Sequence, residues 1–271
     1  MYETMHQVIP LWNAEKPFAR HGDELLHEHL TEEPKDGIRR ITDVTEPTLT
    51  FFPASGKGPH PAVLVCPGGG YGILAWNHEG LDYCSLLNLN GFSAFLLKYR
   101  CPGRRDAAYA DAARAMRIIR ARAEEFNIIP DKVGAIGSSA GAHLCATISA
   151  SANPVPYEPA DEIDKLPYRP NFTALIYPAY LFGDKETLTP AKEFSIGPDV
   201  PPTFIIQAEN DGIQVENAIT WFMALRRAGV PCEMHIWSEG GHGYGLLRRG
   251  NPVADWHIPA AAWFRRQAGI L

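Results

Sequence analysis

Short apolar runs alternate along the chain with longer stretches in which apolar residues recur every three or four positions. The runs fall at residues 49–52, 62–66, 93–99, 132–136, 172–177, 203–208 and 232–237. Several are apolar almost throughout, as strands covered on both faces of a mostly parallel sheet must be. Helices are predicted over residues 80–89, 106–126, 140–150, 215–228 and 253–267. In the second of these, Ala108, Ala112, Ala115, Ile118, Ile119 and Ala123 share one face, with Arg114, Arg117, Arg120 and Arg122 between them. That pattern reads as a core stripe backed by a solvated face. Strand and helix in alternation predict right-handed crossovers and a doubly wound α/β sheet, mostly parallel and flanked by helices. Residues 1–47 are polar, rich in His, Glu and Pro, and weakly periodic, so they are expected to form an irregular N-terminal arm before a single domain over 48–271. Two stretches, 151–170 and 182–202, interrupt the rhythm; long excursions after strands often build the walls of a site.

Composition narrows the classes. Apolar residues at 45% and charged residues at 21% are ordinary for a globular chain and argue against disordered, collagenous and membrane classes. With 25 Lys and Arg against 31 Asp and Glu, the net charge of −6 provides no electrostatic footprint for nucleic acid or an anionic membrane surface. The five cysteines are scattered, without a CxxC pair, and point to buried free thiols rather than a disulfide framework or a zinc knuckle. Residues 1–20 lack a basic start, an apolar run and a small-residue cleavage site. The expectation is therefore a cytoplasmic protein, or a secreted or periplasmic one if an export signal was trimmed.

The chemistry is concentrated at strand ends. After the run at 132–136 the chain reads Gly137-Ser138-Ser139-Ala140-Gly141 and passes directly into a helical pattern. A nucleophile on a sharp strand-to-helix turn needs small residues on either side, and the turn leaves the Ala140 amide at a helix N-terminus, facing a developing oxyanion. Such a serine requires a base and an orienting acid further along. The run at 203–208 ends in Glu209-Asn210-Asp211-Gly212, and that at 232–237 leads into Gly240-Gly241-His242-Gly243-Tyr244-Gly245. Asp211 is the predicted acid, with Glu209 and Asp184 as rivals, and His242 the predicted base. Among other histidines, His143 lies one turn after Ser139 and is expected to pack or hydrogen-bond beneath it. His257 packs in the last helix, and His27 and His29 lack the further ligands a metal needs. His78 and Glu79 are candidates for support of the oxyanion loop.

The second part of an oxyanion hole is expected after the run at 62–66, where Cys66-Pro67-Gly68-Gly69-Gly70-Tyr71 stands. Gly69 and Gly70 are the predicted donors beside Ala140; Pro67 takes the place of the His in an HGGG loop, which leaves main-chain donors intact. The loop lacks the Lys-Ser/Thr of a P-loop, and no G-x-G-x-x-G opens a helix, so nucleotide binding is disfavoured.

These residues resemble the α/β-hydrolase serine esterases of the acetylxylan esterase type, which include bifunctional acetylxylan and feruloyl esterases. The resemblance covers residues 49–263 and is carried, in order, by VCPGGGYGILAWNHEG, DAARAMRIIRARAEEFNIIPDKVGAIGSSAGAHL, DEIDKLPYRPNFTALIYPAY, PPTFIIQAENDGIQVENA and GVPCEMHIWSEGGHGYGL. Ile9-Pro10-Leu11-Trp12 is also similar to their N-terminal arm. The resemblance implies Ser139 as nucleophile, His242 as base, Asp211 as acid, an oxyanion hole of Gly69, Gly70 and Ala140, and acyl transfer without metal or cofactor. Relatives usually read GFSAGGHL where this chain has Ser138 and Ala142, and many carry a second Asp where Asn210 stands. The implied substrate is a small ester or an acetylated oligosaccharide, with Tyr71, Trp76 and Tyr244 expected to wall its site. Three other readings stand beside it. One is an arylformamidase-like amide hydrolase, from the similarity of SAGAHL to kynurenine formamidases, against which stands the GGHGYG ending. A second is a serine peptidase of the oligopeptidase type, disfavoured because the chain is too short for the propeller domain those enzymes carry. The third is a non-catalytic binding protein of the same fold.

Overall fold

The computed structural model describes residues 6–13, 16–31, 35–247 and 250–270, so parts of the predicted arm lie outside the described residues. Eight strands form one sheet: β1 (Gln7–Pro10), β2 (Thr48–Phe52), β3 (His60–Cys66), β4 (Ser93–Lys98), β5 (Ile128–Ser138), β6 (Thr173–Ile176), β7 (Thr203–Ala208) and β8 (Cys232–Trp237). Their order is β1-β2-β4-β3-β5-β6-β7-β8, and β2 alone runs against the rest. Because side chains alternate across a strand, β3 feeds two cores at once. Val63 and Val65 pack with α1 (Asp82–Leu89) and α5 (His257–Ala268), whereas Leu64 and Cys66 pack with α2 (Arg105–Ala121), α3 (Ala140–Ala150) and α4 (Glu216–Arg227). Helices on both faces explain why the central strands read as unbroken apolar runs.

Element ends differ from expectation where turns replace helix. The predicted helix at 106–126 stops at Ala121, and the chain then turns back through Asn127, φ 52°. Pro252–Asp255 is a separate 3-10 turn before α5. Cys66, Cys84, Cys101 and Cys145 are buried free thiols, and no described helix is long and apolar enough to cross a membrane.

The arm is less irregular than its sequence pattern. Gln7–Pro10 extends the main sheet, and His29–Leu30 and Arg40–Thr42 join Leu74–Ala75 in a small antiparallel sheet. Buried polar contacts fasten it: Trp12 Nε1 donates to Asp111 Oδ1 at 2.7 Å, Arg114 Nε donates to the Leu11 carbonyl at 3.1 Å, and Arg104 pairs with Asp23 at 2.5 Å. The Arg104 guanidinium holds the Asp23 carboxyl down to about 2. Its contribution to stability is therefore present above the ordinary carboxylate range and lost as pH falls toward 2.

The arginine face of α2 also departs from the expectation of a solvated surface. Arg114 and Arg117 are only 4% and 8% exposed. Arg114 pairs with Asp161 at 2.6 Å and Asp164 at 3.0 Å, and Arg117 with Asp164 at 3.3 Å. The excursion at 151–170 folds over this face, and its two aspartates neutralise the cations it covers.

Candidate active site

Strand β5 ends at Ser138 and helix α3 begins at Ala140, so one residue turns the chain between them. That residue is Ser139, at φ 51° and ψ −118°, a conformation that costs a non-glycine residue about 1–3 kcal/mol and persists only where its surroundings impose it. The flanking glycines show the constraint. A Cβ on Gly137 would stand 2.3 Å from the Gly141 carbonyl oxygen, and one on Gly141 would stand 2.0 Å from that of Cys66. Gly141→Ala is accordingly expected to lower stability by at least the ~1–3 kcal/mol of an overpacked core, measurable as a fall in denaturation midpoint.

Two loops meet the serine. His242 Nε2 lies 2.8 Å from Ser139 Oγ, and His242 Nδ1 lies 2.8 Å from Asp211 Oδ2. The Asp211 side chain is fully buried and His242 27% exposed; the other Asp211 oxygen accepts from the Ile213 amide at 2.7 Å. Glu209 points to solvent, and Asp184 accepts from the amides of Glu186 and Thr187. Asn210 has a role the sequence did not disclose. Its Oδ1 accepts from the amides of Gly240 and Gly241, at 3.0 and 2.8 Å, pinning the glycine-rich loop that carries His242 to the loop that carries Asp211.

Across the cleft, the amides of Gly69, Gly70 and Ala140 make no hydrogen bond to another described residue, whereas the Gly68 amide donates to Glu79 Oε2 at 2.7 Å. The other Glu79 oxygen accepts from the Tyr177 hydroxyl at 2.8 Å, and the Tyr177 oxygen accepts from the Gly245 amide at 3.1 Å. Burial pushes the Tyr177 phenol well up, so it stays an O–H donor. One buried carboxylate thus ties the oxyanion loop to the loop bearing His242. Ser138, one of the departures from the resemblance, joins the same interior by a 2.8 Å bond to the Tyr83 hydroxyl.

Truncating Glu79 to alanine leaves the Gly68 amide buried without a partner, at about 1–3 kcal/mol, and frees the loop. The expected kinetic effect is a ~10- to 100-fold fall in kcat, below the ~10²–10³ of losing an oxyanion donor outright. Glu79→Gln keeps an oxygen for Gly68 and is expected to recover most of it; steady-state kinetics on the two variants checks this.

The expected aromatic wall is corrected by the structure. Tyr71 and Tyr244 are each 3% exposed. Tyr71, at φ 60°, turns inward and its hydroxyl lies in hydrogen-bond contact with His143 Nδ1 at 2.7 Å; burial pushes the Tyr71 phenol up and the His143 imidazole down. Tyr244 packs edge-on against Tyr177 at 4.4 Å, and Trp76 packs against the core clusters. The aromatic that does line the cleft is Tyr180, which ends the stretch DEIDKLPYRPNFTALIYPAY but is not among the residues expected to wall the site. With Gly69, Gly70, Ile73 and Ile213 it borders a space of about 470 Å³ around Ser139 and His242. His78 is buried at the cleft wall beside Glu79, its Nε2 3.5 Å from Glu79 Oε1. His143 lies beneath Tyr71, while His27 and His29 are exposed.

Comparison with known proteins agrees with this architecture. Residues 50–165 match the BD-FAE family model, and residues 162–270 match that of the prolyl oligopeptidase family. The chain is 34% identical over 222 residues to an acetylxylan esterase of Xylanibacter ruminicola, covering 73% of this chain and 43% of that protein. It is 29% identical over 204 residues to the endo-1,4-beta-xylanase B of Butyrivibrio fibrisolvens, covering 67% and 32%. The chain therefore spans less than half the length of the curated relatives it matches. Over nearly its whole length it superposes on an acetyl ester-xyloside bifunctional hydrolase from Caldicellulosiruptor lactoaceticus, with a TM-score of 0.75, 27% identity, and coverage of 98% and 97%. A thermophilic esterase of Thermogutta terrifontis, at 22% identity and a TM-score of 0.71, shares the fold.

Proposed function

We propose that the chain is an α/β-hydrolase esterase of the acetylxylan esterase type, which hydrolyses carboxylic esters and removes acetyl groups from xylan or xylooligosaccharides. The observation that carries the reading is the continuous array Asp211–His242–Ser139 set beside three unengaged main-chain amides. Ser139 Oγ attacks the ester carbonyl while His242 Nε2 takes its proton. Asp211 fixes the tautomer in which Nδ1 carries hydrogen and Nε2 is free to accept, and its charge stabilises the imidazolium that forms. The oxyanion accepts from Ala140 and the Gly69–Gly70 loop, donors already in place before the charge develops. The alcohol leaves with the proton from His242. Water, deprotonated by His242, then attacks acyl-Ser139; the Oγ–acyl bond breaks, His242 returns the proton to Ser139 Oγ, and the acid departs. Every step uses side chains and amides of this chain.

The polysaccharide part of the reading rests on the names of the relatives and on an open cleft. Feruloyl ester hydrolysis is a further activity of the same site, since its chemistry differs only in the acyl group. Acetate release from acetylated xylan, followed beside hydrolysis of p-nitrophenyl acetate and N-formylkynurenine, tests the proposal. Activity on both acetyl esters and none on the formamide is the expected result. Cleavage of the small ester alone removes the polysaccharide assignment, and preference for the formamide replaces it.

A further inference from the structure

A second recess, of about 690 Å³, adjoins the Ser139 cleft; Gly70 borders both. It is formed by the segment around Arg20, by the loop after β3, and by the first turn of α2 with Arg104 and Arg105. Arg104 is spent on Asp23. Arg105 is exposed and makes neither an ion pair nor a hydrogen bond with a described residue. Its guanidinium instead lies over the Tyr180 ring at 4.3 Å and the Tyr71 ring at 5.2 Å. Tyr180 is itself held in a left-handed conformation, φ 60°, with 40% of its surface exposed, and it lines the Ser139 cleft. The two rings hold the cationic head by cation–π attraction, and its N–H groups make no hydrogen bond with a described residue, so they remain for a planar carboxylate. The nearby acids do not consume it: Asp106 is its exposed chain neighbour, and Glu193 faces His143 Nε2 at 3.6 Å.

We propose that Arg105, braced by Tyr180, binds the carboxylate of a uronic acid residue borne by the oligosaccharide whose acetyl group reaches Ser139. The inference rests on the esterase reading and narrows its substrate class to acidic acetylated xylooligosaccharides. A protein of net charge −6 repels such substrates at long range, and an arginine without an ion-pair partner among the described residues, in the recess beside the cleft, offsets that repulsion locally.

The test compares kcat/KM for an acetylated xylooligosaccharide bearing a uronate with that for the same compound after reduction of its carboxyl to an alcohol. In the wild type the charged compound is expected to be favoured about tenfold, the scale of one charge-assisted hydrogen-bond pair. Arg105→Gln is expected to bring the ratio to unity, and Arg105→Lys to retain part of it, since lysine keeps the charge and loses the fork. Using a ratio within each variant removes any general effect of the substitution on folding or turnover. A wild-type ratio of one, or a ratio unchanged in Arg105→Gln, overturns the proposal. If neither oligosaccharide is deacetylated while p-nitrophenyl acetate is hydrolysed, the polysaccharide reading itself fails and this inference falls with it.

Discussion

Ser139→Ala is expected to reduce kcat for ester hydrolysis by about 10⁶-fold, the scale seen when the nucleophile of a serine triad is removed, with the denaturation midpoint nearly unchanged. The variant loses one oxygen, and with it the 2.8 Å bond to His242. It leaves the turn at φ 51° with a residue of the same backbone preference and nearly the same volume. Strain and packing are therefore retained while the attacking atom is gone. The amides of Gly69, Gly70 and Ala140 also remain, so a residual rate above that of water is expected from oxyanion stabilisation alone. Burst and steady-state kinetics on p-nitrophenyl acetate, beside a thermal melt, measure both halves; near-wild-type turnover would move the nucleophile to another residue.

Asp211→Asn is expected to lower kcat about 10⁴-fold, as a mis-set tautomer does in a serine triad. The bond from the Ile213 amide to Asp211 Oδ1 at 2.7 Å decides how the new amide sits. Its oxygen must face that N–H, so its NH₂ group faces His242 Nδ1. An imidazole that meets a donor at Nδ1 carries its hydrogen on Nε2, and Nε2 then cannot accept the proton of Ser139. Glu209→Gln, at an exposed position, is expected to leave kcat within a factor of two to three, since surface changes of this kind are worth about ±0.5 kcal/mol. A crippling Glu209→Gln with a mild Asp211→Asn would reverse the assignment of the acid.

How much of this was legible in the sequence depended on the length of each signal. The central strands announce themselves because helices on both faces force long apolar runs, and Thr203–Ala208 and Cys232–Trp237 have the ends the pattern predicts. The residues Ser139, Asp211 and His242 are legible because each follows a strand end and is flanked by glycine or small residues. The arm is not, since strands of two to four residues such as His29–Leu30 and Gln7–Pro10 offer too few alternations to show a period. Arg114 and Arg117 read as solvated because their partners, Asp161 and Asp164, are more than forty positions away. Glu79 is legible as support for the oxyanion loop from its place only eleven residues from Gly68, but its second bond reaches Tyr177, 98 positions away, beyond any local pattern. The aromatic wall failed for a different reason. Proximity to the oxyanion loop does not fix direction, and Tyr71, turned by its positive φ, faces inward to His143 while Tyr180, the last residue of the stretch 161–180, borders the cleft.

In this mechanism Ser139 carries the acyl group through the reaction. Protein quenched in acid during turnover of p-nitrophenyl acetate, then digested and analysed by mass spectrometry, reports that intermediate directly. The expected result is a single added acetyl group on Ser139, absent from Ser139→Ala and accumulating in His242→Ala only to the extent that acylation still occurs. Turnover with no acetyl on Ser139, or with acetyl on another residue, would show that Ser139 is not the nucleophile.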